Sequence, residues 1–195
     1  MTAPLPDRAA AELWCRLLWE GRPGWAVTAV GLDGYFTAVG RYGFRAFRQR
    51  SFRWPDERED LLDRLLFAAT EADVYVAPLL RDRPSRQHRR SRPLEGRHAW
   101  LDADDWDDDR QAELVTTGAK VWSVASGGGP GNRHLYVDLG ELLPGAEVTR
   151  YSARLAQAFG TDTHGGDNKL LRLPGTYNHK PHLAGGQPAE VRWLP

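Results

Sequence analysis

Apolar residues recur at the spacing of a helix in two separate segments of the chain, and strand-like segments lie between and after them. The helical patterns cover residues 7–20 and 55–70, and the second begins with a proline and acidic residues, which suit a first helical turn. Residues 25–30, 35–39 and 44–52 are rich in β-branched and aromatic side chains and are separated by glycine-containing turns. The pattern predicts a mixed α/β fold whose first part contains a small antiparallel sheet.

The rest of the chain shows the same mixture of strand and helix signals. Strands are predicted at residues 73–80, 97–106, 120–126, 133–139, 170–173 and 190–193, and helices at 109–117 and 150–159, the last with Thr149 as its cap. An arginine-rich loop separates the first two of these strands.

The chain is long enough to bury a core of its own. Its 195 residues, of which 41% are hydrophobic, suit a single compact domain. No apolar run approaches the roughly 18 to 20 residues that span a bilayer, and charged residues interrupt the apolar ones near the start, so we expect a cytoplasmic protein. The single cysteine, Cys15, excludes an internal disulfide and a cysteine-rich zinc module built from this chain.

Charge is divided unevenly along a chain whose formal net charge is zero. Residues 81–97 contain seven arginines, and residues 102–109 contain six aspartates. Because the overall charge averages over such blocks, it does not argue against a nucleic-acid partner. The basic block predicts either a phosphate-binding segment or a solvated polar loop.

Asp102 and Asp104 lie two residues apart on a predicted strand, so we expect their side chains to share one face. Two neighbouring carboxylates repel each other unless a cation neutralises them, which makes this pair a candidate site for a hard divalent cation. The alternative is a solvated acidic strand end. The four aspartates that follow are expected to be solvated or to begin a helix.

Residues 126–132 form a glycine-rich turn between two predicted strands. Its backbone amides, together with Ser126 and Arg133, are suited to holding a phosphate. The turn is not a P-loop, and it cannot complete a GxGxxG pattern because Asn132 takes the position of the last glycine. The alternative is an ordinary hairpin loop, followed by a structural His134.

A third group of polar residues surrounds a short apolar strand near the end of the chain. Asp167 precedes this strand and is a candidate third carboxylate, while Arg172 and Lys180 are suited to neutralising phosphate charge. Asn178 follows a Pro-Gly turn and is suited either to a sugar or to stabilising the turn. Taken singly, each of these residues also has an ordinary surface explanation.

The order of these three motifs resembles that of the archaeo-eukaryotic primase superfamily, especially its bacterial, phage and plasmid primase-polymerase branch. LDADDW (101–106) is similar to the first motif, SGGGPGNRHLYV (126–137) to the second and DNKLLRLPGTYNHK (167–180) to the third. The third is the most specific, since RLPGTxNxK is far from a generic pattern. The resemblance covers about residues 25–182.

The resemblance implies one α/β catalytic domain over residues 1–195. An RRM-like sheet at about 98–195 and a smaller N-terminal α/β unit at about 1–97 would form its cleft. The implied activity is template-directed nucleotidyl transfer, as a DNA primase, a DNA polymerase or both, in replication or repair. Asp102, Asp104 and Asp167 would hold two Mg²⁺ or Mn²⁺ ions, with Asp162 as an alternative to Asp167.

The resemblance also implies a nucleotide site and a set of partners. His134, Arg172 and Lys180, with Asn178, would bind the nucleotide, and Ser126, Asn132 and Arg133 compete for a phosphate because their turn is longer than usual. The partners would be a DNA template or primer, dNTPs or NTPs, and a fused or separate helicase and helical accessory domain, with no membrane. Arg86, Arg89 and Arg90 would contact DNA phosphates.

Two other functional classes are compatible with parts of this pattern. The first is a replication-initiator or nucleic-acid-binding module that keeps the fold but has weak catalysis. The second is a metal-dependent phosphodiesterase, which would not need the His, Arg and Lys set for a triphosphate. Nucleotide incorporation distinguishes all three classes.

Overall fold

The computed structural model describes residues 5–84, 91–162, 166–183 and 185–195. The helices are α1 (Arg8–Trp19), α2 (Arg58–Ala69), α3 (Asp108–Thr116), α4 (Gly145–Ala158) and α5 (Lys180–Leu183). The strands are β1 (Gly24–Phe36), β2 (Tyr42–Trp54), β3 (Asp73–Val76), β4 (Gly96–Ala103), β5 (Val121–Ala125), β6 (Arg133–Leu143), β7 (Leu171–Arg172), β8 (Thr176–Asn178) and β9 (Ala189–Leu194). The fold is mixed α/β with curled antiparallel sheets, as the sequence predicted.

The first sheet has four antiparallel strands in the order β2-β1-β3-β7. Leu61, Leu62 and Leu65 of α2 pack with Val74 and Val76 of β3 in the main core cluster. The last strand of this sheet, β7, comes from the second half of the chain. The division into two parts at about residue 97 stays a prediction, and any such division leaves β7 joined to the first sheet.

The second sheet has five strands in the order β4-β6-β5-β9-β8. Helix α4 packs on β4, where the Ser152 hydroxyl accepts a hydrogen bond of 3.0 Å from the Trp100 backbone amide. Trp100 and Trp106 are both buried in core clusters, so they serve packing rather than base stacking. This sheet carries the first two sequence motifs on adjacent strands.

Helix α1 connects the cores of the two sheets. The Asp7 carboxylate caps its first turn by accepting a hydrogen bond from the Ala10 amide. The indole nitrogen of Trp14 donates to the Tyr136 hydroxyl of β6 at 2.7 Å, and both residues are fully buried. The Trp193 indole of β9 donates to the Ala10 carbonyl, so the helix is tied to the second sheet at two points.

Several predicted boundaries are wrong, and glycines explain two of them. The predicted strands at 25–30 and 35–39 belong to one long strand that ends at Phe36, because Gly31 is a packing position: a Cβ there would collide with the Phe44 ring. Helix α4 begins at Gly145, not after Thr149, and a Cβ at Gly145 would lie 2.5 Å from the Leu94 carbonyl oxygen. Gly31 lies in a segment predicted as a glycine-containing turn, and the start of α4 was predicted from Thr149 as a cap.

Two short elements were not predicted at all, namely β8 and α5. Each is too short to show a periodicity, so only the tertiary structure reveals them. In the described part of the chain, no helix is long and apolar enough to cross a membrane.

Candidate active site

The centre of the candidate site is a cross-strand pair, Asp102 on β4 and His134 on β6. The Nε2 atom of His134 lies 3.5 Å from Oδ1 of Asp102. The imidazole is 2% exposed, and its Nδ1 atom makes no hydrogen bond of normal length. The pairing brings the first and second sequence motifs into direct contact.

Lys169 and Asp162 complete an ionic cluster around Asp102. The ammonium nitrogen of Lys169 lies 2.6 Å from Asp102 Oδ2 and 2.6 Å from Asp162 Oδ2, and the lysine side chain is 11% exposed. The Asp162 amide also donates to the Asp102 carbonyl at 3.2 Å. Two carboxylate oxygens therefore converge on a single cation position.

Burial and charge set the protonation of this cluster. Burial lowers the pKa of His134 to about 4, so the ring is neutral near pH 7. Burial opposes ionisation of Asp102, but His134 and Lys169 outweigh it and lower the pKa of that carboxyl. Burial also opposes the charge on Lys169, yet the carboxylates of Asp102 and Asp162 raise its pKa. Lys169 and Asp102 are therefore both charged at neutral pH.

Asp104 lies beyond the end of β4, which corrects the predicted strand at 97–106, and its role as a metal ligand stays a prediction. Strand β4 ends at Ala103, and Asp104 is exposed in the bend that follows. Asp105 has a left-handed φ of 57°, and the Trp106 amide donates to the Gly131 carbonyl at 2.8 Å, so the chain turns away from the strand direction.

Asp167 lies in a 3₁₀ helix, Gly166–Asn168, and its side chain lies outside the described part of the structure. Asp162, the alternative third acid, is the one whose carboxylate is seen next to Asp102. Arg86, Arg89 and Arg90 also lie outside the described residues. The role predicted for these arginines stays a prediction.

The glycine-rich turn folds against the acidic end of β4. A Cβ at Gly131 would lie 2.7 Å from the Asp105 Cα, so only glycine permits this contact. The Ser126 amide donates to the Asn132 carbonyl and closes the turn. Within the described residues, the amides of 127–129 donate to no backbone carbonyl, which leaves them suited to an anion.

Arg133 follows this turn, with its Nη2 atom 3.6 Å from the Asp108 carboxylate and a buried Nε that makes no hydrogen bond. Asn178 is 1% exposed, and its amide nitrogen donates to the Ser126 carbonyl while its oxygen accepts from the Lys180 amide. The Asn178 side chain thus links the glycine-rich turn, and not the Pro-Gly turn that the sequence suggested, to the start of α5. The Lys180 ammonium lies 5.9 Å from the centre of the Tyr42 ring.

Arg172 is held in place by two residues of β3. Its Nε lies 3.3 Å from Oδ1 of Asp73, and its guanidinium lies over the Tyr75 ring, 5.0 Å from the centroid. Asp73 is 1% exposed and also accepts hydrogen bonds from the Tyr42 hydroxyl and the His179 amide. Arg172 is close enough to His134 to lower the pKa of that ring further, after the larger effect of burial.

Sequence reasoning missed Lys169 and Asp73. Asp73 begins a predicted strand, and Lys169 directly precedes another. No spacing rule connects Asp73 to Arg172, which lies 99 positions later in the chain. Two chemical signals were available. Asp73 stands at the start of an otherwise apolar strand, and Lys169 lies between the candidate acids, Asp162 and Asp167, and the strand that contains Arg172.

The convergence of Asp102 and Asp162 on one cation position fits a hard divalent cation, which prefers oxygen ligands. Among the described residues, no three His, Cys, Asp or Glu side chains are grouped as a ligand set. Asp102 and Asp162 are therefore the candidate metal ligands that the described residues bring together.

A family model described as the RepB DNA-primase N-terminal domain matches residues 46–195. Among curated proteins, nothing matches the chain. The structure is similar to a crystal structure of primase RepB′, with a TM-score of 0.60 and 16% identity over 96% of this chain, and the chain spans 56% of the length of that protein.

Two further solved structures are similar at comparable identity. The catalytic domain of primase RepB′ in complex with initiator DNA has a TM-score of 0.57 and 17% identity, over 97% of this chain and 85% of that one. The primase-polymerase domain of cyanophage S-2L has a TM-score of 0.59 and 15% identity, over 96% of this chain and 90% of that one. At such identities the likeness concerns the fold.

Proposed function

This chain belongs to the RepB DNA-primase N-terminal domain family, and from that premise we propose that it catalyses template-directed nucleotidyl transfer. Family membership confirms the resemblance indicated by the three motifs. The single observation that carries the proposal is the meeting of Asp102 and buried His134 on adjacent strands with Asp162, which follows α4. The product would be a DNA or RNA primer, an extended DNA strand, or both, during replication or repair.

The acidic residues would supply the metal site. Asp102 would hold Mg²⁺ or Mn²⁺ together with Asp162 or Asp167, and Asp104 would join them if its loop turns inward. When bound, such ions activate the primer 3′-hydroxyl and stabilise the leaving pyrophosphate. The chain's own contribution is a pair of carboxylates that Lys169 holds close together, and Lys169 also favours the ionised state of Asp102 against the effect of burial.

The triphosphate would lie against cations and amides on both sides of this acidic pair. Arg172 enters the site already oriented by Asp73, so less side-chain entropy is lost when it binds a phosphate. The buried His134 ring would position Asp102, whose Oδ1 lies 3.5 Å from its Nε2, and the 127–129 amides face no competing carbonyl in the described structure. Lys180 and Arg133 would add positive charge at the edge of this triphosphate site.

A DNA partner is part of the proposal. Primase RepB′, whose catalytic domain was solved with initiator DNA, shows that this fold is compatible with such a ligand in that protein. For this chain the support is the candidate site itself and the basic block at residues 81–97. A helicase and a helical accessory domain, fused or separate, remain proposals for the whole protein.

A second candidate is a DNA-binding initiator module with weak catalysis. Lys169 fills the cation position between Asp102 and Asp162, and an ammonium at that point opposes metal binding. This observation favours the second candidate, whereas the oriented Arg172 and the buried His134 favour the first. A phosphodiesterase is favoured by neither observation.

One assay distinguishes the candidates. The full chain is incubated with Mn²⁺ or Mg²⁺, labelled dNTPs or NTPs, and a template with or without a primer. We expect incorporation by the unmodified chain, loss of incorporation in Asp102→Asn, and retention in Asp109→Asn, an exposed aspartate of α3 that makes no contact with the site. DNA binding without incorporation in all three proteins would support the initiator module instead.

A further inference from the structure

A large groove lies on the face of the first sheet that α2 covers. Its volume is about 1200 Å³. Val30 and Leu32 of β1 form a half-buried apolar floor, and residues of β2 and α2 form the walls. Since α2 packs on Val74 and Val76, whereas alternate side chains of a strand point to opposite faces, Tyr75 lies on the other face of the sheet. The groove and the candidate active site are therefore on opposite faces.

The rim of the groove is basic. Arg48 and Arg50 of β2 and Arg64 of α2 are exposed and line it. None of the three forms an ion pair with a carboxylate in the described part of the chain. Glu71 is the acidic residue among the lining side chains, so the guanidinium groups outnumber it. Such a surface is complementary to a polyanion.

An exposed phenylalanine places aromatic surface beside these charges. Phe67 of α2 is 83% exposed and lines the groove. Phe47 of β2 is 45% exposed, but it neighbours Arg48 along the strand, so its side chain points to the opposite face of the sheet. There its ring lies 5.8 Å from the Tyr75 ring, over which the Arg172 guanidinium lies. Because β2 is the edge strand of its sheet, Phe67 and Phe47 lie on the two sides of the edge that separates the groove from the candidate site.

We propose that this groove binds single-stranded DNA that continues from the candidate active site around the β2 edge. Phosphates would contact Arg48, Arg50 and Arg64, and a base would stack on Phe67 above the apolar floor. Single-stranded nucleic acid is recognised by this combination of a basic groove and aromatic platforms. The inference rests on the proposed function, because a template strand must leave the site in single-stranded form.

The test measures binding of a labelled 20-nucleotide oligo(dT) to the full chain by fluorescence anisotropy over a salt series, without metal or nucleotide. In Arg48→Gln/Arg50→Gln/Arg64→Gln, we expect the affinity for DNA to fall at least tenfold at low salt. The slope of log affinity against log salt concentration should decrease in magnitude by about 2, since each lost phosphate contact removes about 0.7 for a single strand. Phe67→Ala should weaken binding about fivefold or more with an unchanged slope, because it removes stacking and not charge.

The matched control is Arg16→Gln/Arg150→Gln/Arg154→Gln, which removes the same charge at exposed positions on α1 and α4. Circular dichroism verifies that all variants are folded. Equal affinities for the groove variant and the control overturn the proposal. Displacement of the DNA by polyglutamate of equal charge, together with wild-type affinity in Phe67→Ala, also overturns it, because the groove would then suit an acidic protein.

Nucleotide incorporation by the unmodified chain tests the proposed function separately. Incorporation together with unaltered oligo(dT) binding in the groove variant rejects the groove alone. A chain that neither incorporates nucleotides nor binds oligo(dT) rejects both.

Discussion

The ammonium nitrogen of Lys169 lies 2.6 Å from Oδ2 of Asp102, so the cation nearest the central carboxylate is part of the chain itself. The same nitrogen lies 2.6 Å from Asp162 Oδ2. A lysine in this position holds the two carboxylates close together and favours the ionised state of Asp102, and it must leave before any other cation binds between them. Assembly of the candidate site is thus a competition between two cations.

Lys169→Met should therefore strengthen binding of Mn²⁺ to the nucleotide-free chain. Removing the competing charge is expected to raise affinity about tenfold, which corresponds to ~1.4 kcal/mol. Electron paramagnetic resonance of free Mn²⁺ in a titration measures this directly, with exposed Lys120→Met as the control. Equal or weaker binding in the Lys169 variant would show that the lysine assists the metal site and does not compete with it.

Asp73→Asn should weaken use of the nucleotide and destabilise the fold. The substitution leaves Arg172 without its carboxylate and alters acceptors for the Tyr42 hydroxyl and the His179 amide, so we expect a loss of ~1–3 kcal/mol in the free energy of unfolding. Urea denaturation and the KM for the nucleotide measure the two effects. Tyr42→Phe removes a single hydrogen bond, and its effect on both quantities should be smaller.

Stability should fall as pH decreases from about 6.5 to about 4. The buried His134 and His98 rings have folded-state pKa values of about 4, below their usual value of 6.5, so the unfolded chain binds more protons within this range. The lowered pKa of Asp102 extends the loss to still lower pH, because its stabilising contribution disappears as the carboxyl becomes protonated below its usual range. Thermal denaturation at several pH values across this range measures how stability depends on pH.

The control for this pH dependence is the double variant His98→Gln/His134→Gln, in which neither position titrates. Its stability should change less between pH 6.5 and pH 4 than that of the unmodified chain. An equal slope in both proteins would assign the acid sensitivity to other groups.

Gly131→Ala should separate the glycine-rich turn from the end of β4. The added Cβ would meet backbone atoms of Asp105 and Trp106 at 2.7–2.9 Å, and backbone cannot yield as a flexible side chain does. We expect a loss of ~1–3 kcal/mol in the free energy of unfolding and reduced incorporation. Gly21→Ala is the matched control, since a Cβ there meets no atom within 4 Å. Wild-type stability in both variants would contradict the packing role of Gly131.

The sequence was sufficient for the fold class, the longer elements and the pairing of two motifs. Asp102 and His134 lie on predicted strands with strong periodicity, and both are brought together as the family resemblance implied. Asp104 was placed on the strand because a period of two contains no information about where the strand ends. Its exposure results from the left-handed Asp105 and the contact between Trp106 and Gly131, neither of which a local pattern reveals.

The contacts that orient the site were beyond sequence reasoning for a different reason. Asp73 and Arg172 are joined by the pairing of β3 with β7, a pairing between short strands far apart in the chain. Likewise, Asp162 and Lys169 come to Asp102 through the path of the chain after α4. Such tertiary pairings follow from packing as a whole, and composition or spacing does not predict them.

The position of β7 in the first sheet has a consequence for synthesis on the ribosome. Strand β3 pairs with β1 along one edge, and its other edge pairs with Leu171 and Arg172 of β7. The nascent first sheet therefore keeps an open edge until residues 171–172 have been translated, and open strand edges invite pairing with other chains. Since the second sheet needs β8 and β9, which follow β7 directly, the two sheets are completed over the same short stretch of translation and not one well before the other.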